Sequence, residues 1–146
     1  MRLMSTFRAL NPFRPAATVS AHCDIPCGVY DPEQARIEAE SCLKIIQKYH
    51  DSSDELFRQR CVHVKEERAE LAKHHIDVLW SDWYKPAEMG SDHHSTFNNA
   101  VKAASSVKRS MDASNAEDLL GLIDDIDELW KANNGPSSTR VNGRPG

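Results

Sequence analysis

No run of apolar residues in this 146-residue chain approaches the ~18 that a membrane span requires. Cysteine is scarce as well. The four thiols, Cys23, Cys27, Cys42 and Cys61, form no dense framework of the kind that staples small secreted folds. A chain of this length buries enough surface to fold on its core alone, as one domain. Basic charge is also in short supply: 18 lysines and arginines stand against 22 aspartates and glutamates, for a net charge of −4. The imbalance is uneven, because residues 1–21 hold Arg2, Arg8 and Arg14 and no acid, leaving −7 on the remainder. A body without a basic footprint excludes nucleic acid as its partner. It leaves room for a local basic funnel that draws in a small anion. Internal repeats and alternating strand patterns are missing too.

What is present begins with residues 1–21, MRLMSTFRALNPFRPAATVSA. Pro12 and Pro15 interrupt any helix there, and no apolar stretch is long enough for a secretory core. The small residues of its end, VSA, suit a peptidase, and arginine with serine and no acid also fits an organelle transit peptide. This segment reads as a removable leader. A cytoplasmic location is the first expectation, with organelle import or export through the leader left open.

From Asp31 the pattern turns helical. Asp31 is placed to cap, Pro32 suits the first helical position, and Ile37, Cys42, Ile45, Ile46 and Tyr49 repeat at helical spacing to about His50. The stretch DSSD recaps a second helix at Ser53 or Asp54, which runs to about Tyr84 before Pro86 stops it. Its apolar face reads as Phe57, Cys61, Val64, Leu71, Val78 and Leu79. A third helix spans roughly residues 92–111, with Phe97, Val101, Ala104 and Val107 inward. A fourth, capped by Ser114 or Asn115, carries Leu119, Leu122, Ile123, Ile126, Leu129 and Trp130 and ends at Gly135. Four such segments predict an all-α, antiparallel (up-down-up-down) four-helix bundle over residues 31–133, behind an irregular segment at 22–30. Residues 134–146, rich in Asn, Gly, Pro and Ser, read as a disordered tail.

The chemistry concentrates in TVSAHCDIPCGVYDP, residues 18–32. Cys23 and Cys27 have three residues between them, which is not the redox spacing, and no second ligand pair follows to complete a structural zinc site. His74 and His75 are adjacent and point to different faces of their helix, so they do not form a zinc-binding pair at i and i+4. Cys42 and Cys61 sit in helical patterns and read as small buried thiols. Cleavage between Ala21 and His22 would change the chemistry of the segment. It creates a free α-amine on a residue that also carries an imidazole. That amine and the amide nitrogen of Cys23 close a five-membered chelate ring once the amide loses its proton. The thiolates of Cys23 and Cys27 then complete a plane of two nitrogens and two sulfurs. Planar coordination of that kind points to nickel(II) or copper(II), whereas zinc favours a tetrahedron. Pro26 and Gly28 let the short loop fold back.

His22-Cys23-Asp24-Ile25-Pro26-Cys27-Gly28-Val29-Tyr30 resembles the H-C-x-x-P-C-G-x-Y hook of the nickel superoxide dismutases, and VYDPEQARIEAES and KEERAELAKHHIDVLWSDWYKP extend the likeness over most of residues 22–86. The C-terminal third resembles the family loosely. The resemblance implies a homohexamer of four-helix bundles, made from a precursor whose leader a peptidase removes, with one nickel ion per chain and superoxide as substrate. It implies metal ligation by His22 (amine, and axial imidazole in the oxidised metal), Cys23 (amide nitrogen and thiolate) and Cys27. Tyr30 would order an approaching anion or solvent over the open face, and Asp24 would help hold the loop. Glu38 and Arg68 would orient the His22 imidazole. Arg68 has support from its own surroundings: on the stripe Phe57–Cys61–Val64–Arg68–Leu71 an arginine is out of place unless a carboxylate pairs with it, a pairing that could also be purely structural. The expected activity is disproportionation of superoxide by nickel(III)/nickel(II) cycling, with a non-catalytic nickel or copper carrier or sensor as the alternative. A helical interaction module with incidental thiols is a further rival, distinguished by the absence of cleavage and bound metal. One departure from the family stands out. Trp83 and Tyr84 follow WSD where tyrosine then phenylalanine is usual, and an indole donates a hydrogen bond but accepts none.

Overall fold

The computed structural model describes residues 28–134, and within them every regular element is helical. Helix α1 spans Glu33–Asp51, α2 Glu55–Val78, α3 Pro86–Met89, α4 His94–Arg109 and α5 Ala113–Asn134. A π-helical turn, Leu79–Trp83, continues α2, and a 3₁₀ turn, Ser91–His93, leads into α4.

The helix starts follow from their side chains. The Asp31 carboxylate accepts the Glu33 N–H at 2.9 Å, so α1 begins directly behind Pro32. Asp54 accepts the N–H groups of Leu56 and Phe57 at 3.0 and 3.3 Å and starts α2. The α5 cap differs from expectation. Asp112, not Ser114 or Asn115, accepts the Ser114 N–H at 3.0 Å, so α5 opens at Ala113. Helix α4 also starts later than expected and ends sooner, because the 3₁₀ turn takes up Ser91–His93 and Ser110 is extended. The expected stop at Gly135 and the tail beyond it lie outside the described residues.

Four long helices close into a ring, α1 on α2, α2 on α4, α4 on α5 and α5 on α1. Their contacts fix an antiparallel order. Tyr49 meets Arg58 while Glu38 meets Arg68, which runs α1 against α2. Trp80 meets Phe97 while Lys65 meets Val107, which runs α2 against α4. His50 reaches the Met111 carbonyl at 2.7 Å while Arg36 reaches Asp127 at 3.7 Å, which runs α1 against α5. The architecture is therefore an up-down-up-down four-helix bundle, with α3 as a short elbow between α2 and α4.

The core joins bulky side chains from every long helix (Ile46 on α1, Ile76 on α2, Phe97 and Val107 on α4, Leu119, Ile123, Ile126 and Trp130 on α5) to a set of alanines. Ala35 and Ala39 on α1, Ala69 and Ala72 on α2, Ala100 and Ala104 on α4 and Ala116 on α5 are all essentially inaccessible. This corrects part of the face read for α2. Its buried residues are Cys61, Lys65, Ala69, Ala72, Ile76 and Val78, followed by Leu79 on the π turn; Cys61, Val78 and Leu79 agree with expectation, whereas Phe57 and Val64 stay 39% and 37% exposed.

Both described thiols are free and buried. Cys42 Sγ donates to the Lys65 carbonyl at 3.5 Å, and burial pushes its pKa up to about 12. It is thus a neutral, packed thiol at any physiological pH. Iodoacetamide at about pH 8 is expected to leave Cys42 unmodified in the folded protein and to alkylate it in urea. Peptide mass mapping checks this, and ready labelling in the folded state would mean that α1 opens.

Candidate metal centre

The site residues divide at Gly28. His22, Cys23, Asp24 and Cys27, with the Ala21–His22 bond, lie outside the described residues; Tyr30, Glu38 and Arg68 lie within them. Gly28 has φ = +67°, a left-handed conformation that a residue without Cβ adopts at no steric cost. The chain turns there and lays Tyr30, half-buried, against the core cluster. Asp31, itself buried, then hands the backbone to α1. The aromatic ring is thus fixed on the bundle three residues after Cys27.

Glu38 and Arg68 are brought together across the α1–α2 seam. Arg68 Nη1 donates to Glu38 Oε2 at 3.2 Å, with the carboxylate side chain 15% exposed and the arginine 37%. Arg68 is therefore paired, although the stripe behind that expectation is a partly exposed edge of α2 and not its buried face. A half-exposed pair of this kind adds about 0–1 kcal/mol to stability, too little to explain its placement by stability alone. The same Nη1 lies 3.5 Å from Glu38 Oε1, so both carboxylate oxygens are engaged by the guanidinium.

The residues after WSD have distinct fates. Trp83 is buried inside the π turn, among the core residues. Tyr84 is buried too, and its hydroxyl donates to the Gly90 carbonyl while its ring packs against His93, His94 and Phe97. Its hydroxyl is committed to the elbow between α2 and α4, so it does not stand in as a free phenol for the tyrosine usual at the preceding position. Lys108 is paired with Glu70, and Lys85 with Glu88 at 3.9 Å.

Lys65 was missed by the sequence pattern. Only 1% exposed, it donates from Nζ to the carbonyls of Val107, Lys108 and Ser110 at 2.7, 2.7 and 3.0 Å. These are carbonyls left without helical partners at the end of α4, and a cation there also complements the helix dipole. The available signal was a spacing of four and three along 61–65–69–72–76, which would have put a lysine in the core stripe.

Comparison with known proteins bears on this geometry. The family model for nickel-containing superoxide dismutase matches residues 17–134. A protein of Streptomyces seoulensis named superoxide dismutase [Ni] is 51% identical over 120 residues, covering 81% of this chain and 92% of the relative. A protein of the same name from Streptomyces coelicolor is 48% identical with the same coverage. Among solved structures, a Ni-containing superoxide dismutase with nickel ligation corresponding to the oxidised state superposes with a TM-score of 0.74 at 49% identity, covering 77% of this chain and 98% of that one. The bundle, its hook sequence and these likenesses converge: the chain belongs to the nickel-containing superoxide dismutases.

Proposed function

We propose that this chain is a superoxide dismutase whose nickel, one ion per chain, is held by residues that become a terminus on removal of the leader. The observation that carries this is the donor set of residues 22–27, set just ahead of a bundle that belongs to the family. Among the described residues, no group of three or more His, Cys, Asp or Glu side chains is arranged to hold a metal. The donors that fit nickel in this chain are accordingly the His22 amine, the Cys23 amide nitrogen and the thiolates of Cys23 and Cys27. Nickel bound there would supply a nickel(III)/nickel(II) couple, taking an electron from one superoxide and returning it to a second to yield dioxygen and, with two protons, hydrogen peroxide.

The protein's own residues do the remaining work. Anionic thiolates and a deprotonated amide favour the higher oxidation state of the metal. Asp24 helps hold the loop, and Tyr30, seated on the bundle, orders the incoming anion or solvent and is a candidate source of a proton. The Glu38–Arg68 pair orients the His22 imidazole, an outer-shell role. While Ala21 is attached, residue 22 has an amide where the ligand set needs an amine. The leader therefore keeps the enzyme silent until a peptidase cuts it. By family likeness the processed chains assemble as a homohexamer. None of the described helices is long and apolar enough to cross a membrane.

The decisive experiment is an N-terminal mass measurement on native protein, with nickel analysis and a stopped-flow superoxide assay. A start at His22, one nickel per chain and catalytic turnover are expected. Bound nickel without turnover would make the protein a carrier instead. A companion variant, Cys27→Ser, is expected to lose activity by more than about 100-fold, beyond the 10–100-fold typical of outer-shell changes. Its far-UV circular dichroism should be unchanged, because every helix among the described residues begins at Glu33 or later. Loss of helix in this variant would place Cys27 in the fold and not in the metal site.

A further inference from the structure

Trp80 sits on the π turn after α2, and His94 is the first residue of α4. The indole Nε1–H donates to His94 Nδ1 at 2.9 Å. An indole nitrogen only donates, so Nδ1 must present its lone pair, and the imidazole in this contact is neutral with its proton on Nε2. A second proton would go to Nδ1 and turn the acceptor into a donor facing a donor. The same proton would put a positive charge at the N-terminus of α4, where the helix dipole opposes it.

The contact is solvent-exposed, with His94 on the surface, and it borders a ring cluster. Trp80 lies nearly parallel to Phe97, with centroids 6.2 Å apart and an interplanar angle of 9°. Tyr84 meets His94 edge-on at 5.0 Å and Phe97 at 5.2 Å. The ionisable neighbours along the chain are Asp92 and His93 on the α4 side, and Asp77, Asp82, Tyr84, Lys85 and Glu88 on the α2 and elbow side. Most of these have other engagements: Asp82 accepts from Ser81 at 2.8 Å, Lys85 pairs with Glu88, and the Tyr84 hydroxyl binds the Gly90 carbonyl. Near the end of α5, which runs antiparallel to α4, Lys131 is taken by Asp127 and Glu128 at 2.8 and 3.0 Å. Asp77 makes no ion pair among the described residues, and it precedes Trp80 by one turn.

We infer that Trp80 and His94 form a proton-released latch between α2 and α4: closed while His94 is neutral, opened when it is protonated, and freeing the π turn and the first turn of α4 together. Neither Trp80 nor His94 is among the proposed metal ligands. It makes the elbow, and the Trp83 and Tyr84 held in it, responsive to acidification across the histidine range of about pH 5–8.

The test uses the processed, nickel-loaded protein. Tryptophan emission excited at the red edge is recorded against pH, together with hydrogen exchange of peptides covering residues 79–97, corrected for the intrinsic pH dependence of exchange. One transition within the histidine range is expected, with residues 79–97 losing protection on its acid side. His94→Gln keeps an acceptor but cannot titrate, so it should abolish both changes. Trp80→Phe should remove the emission change, and His93→Gln should leave the transition in place. The inference is overturned if the wild type shows no transition, if the transition survives in His94→Gln, or if His93→Gln removes it. Circular dichroism at neutral pH verifies that each variant is folded before it is scored.

Discussion

Precursor that retains residues 1–21 and is loaded with nickel is expected to show no superoxide dismutase activity above that of free nickel. The reasoning is chemical. In the uncut chain the nitrogen of His22 is an amide joined to Ala21. It cannot serve as the neutral amine, and the five-membered ring it closes with the Cys23 nitrogen is lost as designed. Two thiolates and an imidazole remain, so the uncut chain can still bind a metal weakly. The expected loss exceeds about 100-fold, because a ligand is removed and not merely misoriented. The assay compares the precursor with the same preparation after cleavage, with intact mass measured before and after the reaction. Robust turnover with residues 1–21 still attached would falsify the role of His22 as an amine ligand. It would leave the bundle and the family membership untouched.

Lys65→Met is expected to destabilise the protein by roughly 2–3 kcal/mol, at about 1 kcal/mol for each carbonyl left without its donor. Methionine fills nearly the same volume, so little of the loss comes from a cavity. The three carbonyls of Val107, Lys108 and Ser110 lose a common donor at the corner between α4 and α5. Burial pushes the Lys65 pKa down from the ordinary lysine value, so the ammonium is costly to bury, and the carbonyl cradle is what compensates. For a domain of this size the melting temperature should fall by roughly 10 °C. Urea titration followed by circular dichroism measures the free energy directly. A change below about 0.5 kcal/mol, the usual range for surface substitutions, would mean that water satisfies those carbonyls as well as the lysine does.

These two residues show what the amino-acid pattern made legible and what it hid. The caps at Asp31 and Asp54, the apolar stripe of α5 and the antiparallel bundle were all readable, because each depends on local spacing and on side chains with one obvious role. The inward face of α2 was not. Phe57 and Val64 outweigh Ala69 and Ala72 in any hydrophobic pattern, yet the two alanines are fully buried and the two larger side chains are not. Lys65 was hidden for a related reason: its burial depends on carbonyls more than forty residues away, at a helix end that no local pattern locates. The π turn was equally invisible, since it shows itself only in the bond from the Tyr84 N–H to the Leu79 carbonyl at 2.8 Å. At the site, the donors of residues 22–27 were legible because their chemistry is set by sequence spacing and a free terminus. Pairing of Arg68 was expected from a stripe that the structure leaves partly exposed, and its partner Glu38 came from the family likeness. The commitment of the Tyr84 hydroxyl to Gly90 required three dimensions.

The buried alanines also bear on how far this molecule can drift. Where helices touch through methyl groups, the separation between axes is set by backbone against backbone, and no side chain there can shrink or rotate to make room. Ala39, Ala69, Ala72, Ala100 and Ala104 therefore tolerate almost no enlargement: a single added branch would wedge two rods apart, at about 1–3 kcal/mol. Exposed positions such as Ile37 and Leu56 have room for such a change, whereas the middle of the bundle is held to its present size.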